Sequence, residues 1–85
     1  MTVRDWLQIL CKYPVGMEVV CTWESTYHSV GPDNVYTLPA RGDKATWPRL
    51  PPGTDRVLVI NADQDCNRAS DWQHMGAEQL HEVSK

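Results

Sequence analysis

The chain has 85 residues, enough for one domain, and its formal net charge of -3 is spread without a basic run, which excludes nonspecific nucleic-acid binding through clustered positive charge. Its 41% hydrophobic content lies above the disordered range, and no stretch approaches the roughly 20 apolar residues that a membrane helix needs. A core at this size supplies only about 3–5 kcal/mol of net stability, so self-association is a natural way to bury more surface.

Residues 3–13 are predicted to form a helix, with Thr2 as N-cap and Asp5 in the first turn, where the helix dipole favours an acid. At 3.6 residues per turn Arg4, Asp5, Gln8 and Lys12 share one side. Val3, Trp6, Leu7, Ile9, Leu10, Cys11 and Tyr13 fill the rest, an apolar arc of roughly 200° against the ~100° a surface helix requires. Such a helix is covered on more than one side, by a sheet and a loop or by a sheet and a second protein. Pro14 and Gly16 end it.

Met17 to Trp23 alternate as a strand, with Val20 on the second face. Glu24 to Thr26 read as a turn and Tyr27 to Val30 as a short return strand, giving a hairpin. Gly31-Pro32-Asp33-Asn34 is a turn signal, and a third strand is expected over Val35 to Leu38. Residues 39–54 hold four of the six prolines and form a long Pro-rich loop, a kind of segment that is usually functional or disordered. Trp47, at its middle, either pins that loop to the body or is displayed to a partner. Residues 56–60, Arg-Val-Leu-Val-Ile, carry apolar side chains on both faces and mark a central strand. After a polar loop from Asn61 to Asn67, Ser70 and Gln73 fit a capping box. Trp72, Gly76, Leu80 and Val83 then recur at helical spacing, so a C-terminal helix is expected over 70–83. The fold class is therefore α+β: an N-terminal helix on a small, mainly antiparallel sheet of three to four strands, all in one domain spanning residues 1–85.

Motifs that would fix a chemistry fall short. Asp63-x-Asp65-x-Asn67 begins like a calcium loop, but Arg68 stands where the turn glycine belongs and His74 where the bidentate glutamate belongs. His74 and His81 on one helix would lie about 10 Å apart along its axis, too far for one ion with metal–nitrogen bonds near 2 Å. His28 could meet Cys21 across a hairpin, yet no orienting third group accompanies them, and Gly42 and Gly53 precede no Gly-Lys pair. Cys11, Cys21 and Cys66 form neither a disulfide framework nor a metal knuckle, as expected of reduced thiols. No cofactor, no metal and no catalysis are expected.

The run TVRDWLQILCKYPVGMEVVCTW, with the later YHSV and RVLVI, resembles a family of small proteins of tailed bacteriophages and prophages. That family has a Thr-Val helix, a Pro break and a Glu-Val-Val strand, and Thr2, Val3, Leu7, Leu10, Tyr13, Pro14, Glu18, Val19 and Val20 carry the match. The Pro-rich loop and the Trp72 tail depart from it. The resemblance implies expression in the cytoplasm of a host bacterium; it implies no activity and supplies no site residues. With four Trp and three Tyr in a small core, the leading expectation is a non-enzymatic inhibitor that binds a bacterial defence or host protein, such as a CRISPR effector. The candidate contact residues are Trp47, Arg49 and Arg41 in the loop and Tyr27 and His28 on the hairpin. The alternatives are a sponge for a cyclic-nucleotide signal, using Arg41, Lys44, Arg49 or Arg56 on phosphates, and a minor virion assembly factor. A homodimer is a further expectation.

Overall fold

The computed structural model describes residues 1–23, 30–40, 50–63 and 65–81, with Trp23 described by its backbone alone. The order of elements is helix α1 (Val3–Leu10), strand β1 (Glu18–Trp23), a 3-10 turn (Pro32–Asn34), strand β2 (Val35–Pro39), strand β3 (Arg56–Ala62) and a 3-10 helix (Ala69–Met75). The α+β class read from the sequence is what the chain adopts.

Among the described residues the strands form one sheet in the order β1-β3-β2. β2 runs antiparallel to β3, with Val35 opposite Ile60 and Leu38 opposite Val57. β1 runs parallel to β3, with Val19 beside Leu58 and Cys21 beside Ile60. The sheet is thus mixed, one pairing of each sense. β3 is central, and its Val57, Leu58 and Val59 are all buried, as strands covered on both faces require. The return strand expected over 27–30 falls mostly on residues outside those described; Val30 itself is not in a strand but packs in the core on the α1 side.

Alternation along the strands sends side chains to two cores. On one face Val35 and Leu58 pack with Ile9 and Tyr13 from α1 and the turn after it. On the other, Tyr36, Leu38, Val57 and Val59 pack with Ala69 and with half-buried Trp72 and Met75 of the 3-10 helix. The helix expected over 3–13 ends its α winding at Leu10; Lys12 and Tyr13 donate to Ile9 and Leu10 carbonyls three residues back, a tightened last turn.

The C-terminal helix differs from expectation in start, winding and length. Arg68, not Ser70, is the N-cap, and its backbone N–H donates to Asp71 Oδ2 at 3.1 Å. Gly76 stops the helix rather than sitting within it, because it holds the left-handed conformation at φ 89°. The tail then turns along the outer edge of β2. Thr37 and Glu78 exchange backbone hydrogen bonds of 2.7 and 3.1 Å, and the Gln79 amide donates to Val35 O at 2.8 Å. One edge of the sheet is closed in this way by the chain itself.

Candidate functional site

Thr2 and Asp5 start α1 through a reciprocal cap. The Asp5 N–H donates to Thr2 Oγ1 at 3.2 Å, and the Thr2 N–H donates to Asp5 Oδ2 at 2.9 Å. The Thr2 backbone N–H first, and its side chain second, hold the Asp5 carboxyl below its ordinary value. The cap sets where α1 starts, while packing of its apolar side supplies most of its stability.

What the sides touch is uneven. Successive residues advance about 100° around the axis, so Ile9, Tyr13 and Trp6 share one direction and face the sheet; Ile9 and Tyr13 are buried and Trp6 is half-buried. The adjacent direction is shared by Val3, Leu7 and Leu10, and these remain 76%, 65% and 39% exposed. The broad apolar arc seen in the sequence is real, and the sheet covers half of it. Arg4 borders the uncovered half, with Gln8 and Lys12 further round the polar side, all exposed. The single ion pair among the described residues lies elsewhere, between Arg68 and Asp33 at 3.5 Å, so neither Arg4 nor Lys12 is neutralised within that set. Val15, just beyond the helix, is also fully exposed.

Several polar groups that could suggest chemistry hold the fold instead. Buried His81 meets the Tyr13 hydroxyl and the Pro32 carbonyl. His74 lies exposed on the 3-10 helix and stacks on Trp72 at a centroid distance of 6.4 Å; it shares no helix with His81. Asn67 Nδ2 donates to the Asp63 carbonyl at 2.7 Å, which makes the acidic loop a hydrogen-bonded turn. No group of three His, Cys, Asp or Glu among the described residues could hold a metal ion. Cys11, Cys21 and Cys66 are free, exposed thiols.

The loop from Asn61 to Asn67 was read from sequence only as polar. It is built around the Cys66 carbonyl, which accepts from Trp72 Nε1 at 2.6 Å and Asn61 Nδ2 at 3.2 Å, with Cys66 itself at φ 50°. A non-glycine residue in this conformation signals a turn fixed by its surroundings. An open cleft of about 440 Å³ lies between the turn after α1 and the approach to β3, lined by Pro14, Met17, Glu18, Pro51, Pro52 and Asp55. Arg56, which also lines it, is tied down: Nε donates to Thr37 Oγ1 at 3.1 Å, and one terminal nitrogen donates to Gly76 O at 2.6 Å.

The sequence-derived candidates Tyr27, His28, Arg41, Trp47 and Arg49, and Lys44 with them, lie outside the described residues. The α1 stripe is what the structure adds. Its signal in the sequence was the excess width of the apolar arc, which could not by itself show which half the sheet would take. No helix of the described residues is long and apolar enough to cross a membrane. No family model matches the chain, and neither a curated protein nor a solved structure matches it significantly.

Proposed function

We propose that the protein acts without catalysis, by binding another protein through α1. The observation that carries this reading is the stripe of Val3, Leu7 and Leu10, which the fold leaves in water beside an otherwise well-seated helix. Covering what remains exposed of these three side chains is worth on the order of 3–4 kcal/mol. Exposed apolar groups at helical spacing, bordered by polar residues, suit a groove or a second helix on a partner. The likeness to phage proteins makes a host or defence protein the expected partner and inhibition by occlusion the expected outcome. A nucleotide sponge has less support, since Arg56, one of its four candidate phosphate ligands, is committed to Thr37 and Gly76.

The test compares the wild-type chain with Leu7→Lys in affinity capture from bacterial lysate, followed by thermal melting of both. A stoichiometric partner bound by the wild type and lost with Leu7→Lys, at unchanged melting midpoint, supports the reading. Equal capture by both, or a large fall in the midpoint, would sink it.

A further inference from the structure

We propose that the second edge of the sheet, strand β1, is a self-association surface on which a second copy of this chain adds its own β1 antiparallel, making one six-stranded sheet. The surface is distinct from α1, and the proposal stands or falls separately from the docking reading.

The two sheet edges are treated differently. The outer edge of β2 is closed by the tail through the Thr37–Glu78 pairing, whereas β1 pairs only with β3 among the described residues. Natural edges are commonly blunted with Lys, Pro or a bulge. β1 has none of these: Glu18-Val-Val-Cys-Thr-Trp holds one charge, at its first position, and pairs with β3 without interruption. It also leaves apolar surface uncovered. Val19 and Cys21 lie on the sheet face that α1 covers at Leu58, yet Val19 is 54% exposed and Cys21 is exposed.

Symmetry selects the register. Two copies related by a two-fold axis normal to the sheet keep matching faces together, so each residue must oppose one of the same alternation, and the axis must pass midway between one residue and its own copy. An axis between the two Val20 residues sets Val20 against Val20 of the second copy, Val19 against Cys21 of the second copy, and Glu18 against Thr22 of the second copy. The three middle positions then pair apolar with apolar, with Cβ atoms about 5 Å apart. The two Glu18 carboxylates stand roughly 13 Å apart at ~3.4 Å per residue, beyond the screening length of about 8–10 Å. In this register the middle of the edge pairs apolar with apolar, and its one charge stands away from its copy.

An edge this short makes a small, weak interface, so sedimentation equilibrium should span about 5 µM to 1 mM. The wild-type chain is expected to pass from monomer to dimer across that range. Val19→Lys should weaken dimerisation at least about tenfold with an unchanged melting midpoint, since the position is half exposed in the monomer; Leu7→Lys should leave the dimer intact. The register is read separately in a Cys11→Ser, Cys66→Ser background. There Val19→Cys sets a thiol opposite Cys21 of the second copy, and oxidised glutathione should convert the pair to a disulfide-linked dimer, itself reduced to glutathione. The same background retaining Val19 should not crosslink. A monomer at every concentration overturns the proposal, and slow amide exchange along β1 in that monomer would give the edge to the chain's own residues 24–29. A dimer broken by Leu7→Lys but not by Val19→Lys overturns it in favour of α1, and crosslinking through Cys21 alone overturns the register.

Discussion

The Tyr13 hydroxyl lies 2.6 Å from Nδ1 of His81, across 68 positions of sequence, and both residues are buried. The other ring nitrogen, Nε2, is 2.8 Å from the Pro32 carbonyl, which can only accept, so Nε2 carries a proton. In the neutral ring Nδ1 then accepts from the Tyr13 hydroxyl, whose oxygen accepts in turn from the Leu80 N–H at 3.1 Å. This relay ties the end of α1 to the tail and to the turn before β2. Tyr13→Phe keeps the ring and removes the oxygen, stranding Nδ1 and the Leu80 N–H. The expected loss is about 1–3 kcal/mol in urea unfolding; a change under about 0.5 kcal/mol would mean that water replaces the hydroxyl.

Burial raises the ionisation of Tyr13 above its ordinary 10.0, against the opposing hydrogen bond from Leu80, and burial raises Tyr36 against the opposing bond from Asn61. The unfolded chain ionises both near the ordinary value while the native state still keeps them neutral. Their contribution is therefore complete below pH ~10 and is lost as pH rises through the higher native values. Stability should be level on the approach to pH ~10 and fall beyond it. Denaturant midpoints read against tyrosinate absorbance would show this, and a fall that sets in well before tyrosine ionises would assign the alkaline transition to other groups.

Asn61, 2% exposed, makes four hydrogen bonds through its side chain. Its Nδ2 reaches the Tyr36 hydroxyl at 2.7 Å and the Cys66 carbonyl, and its Oδ1 accepts from the Thr22 hydroxyl at 2.8 Å and the Asp63 N–H at 3.1 Å. Asn61→Leu should cost about 2–4 kcal/mol in chemical denaturation despite its similar volume, because several buried partners lose their bonds at once. A cost near zero would show that the loop after β3 re-forms without it.

On α1, Ile9→Ala should cost about 2–4 kcal/mol, as for a filled core position. Leu7→Ala should stay within about 0.5 kcal/mol. Thermal or chemical unfolding of the pair measures how completely the sheet ignores the exposed half of the helix; equal costs would place Leu7 in the core.

Gly76→Ala meets two obstacles. The φ of 89° disfavours any side chain, and the added Cβ would approach Pro39 Cγ to 3.1 Å. A loss of about 1–2 kcal/mol is expected, read as a lowered melting midpoint. An unchanged midpoint would show that the helix end and Pro39 part easily.

Gly76 also shows where sequence reading lost its way. With Trp72 and Leu80 at helical spacing it passed for an interior glycine, because spacing is blind to the sign of φ. β3 was legible since Val57, Leu58 and Val59 leave no polar face, a property of one segment alone. Its central place was legible for the same reason, but which strands flank it and in which sense were not, since pairing is decided across many residues and no local pattern encodes it. The width of the α1 arc pointed to a surface with two uses, while the side left open depended on where the helix axis came to rest. The loop and hairpin candidates around Trp47 and Tyr27 rested on residue type and lie outside the described residues.

The placing of β3 also orders events in time. β1 and β2 are not hydrogen-bonded neighbours; each pairs with β3, which is made after both. Among the described residues before Arg56 there is no strand on which β1 or β2 pairs, so both wait for β3. Assembly must wait for Val57 to find Glu18, and closing so long a loop slows the search. A message truncated before Arg56 would therefore lack the strand to which both of the other described strands bond.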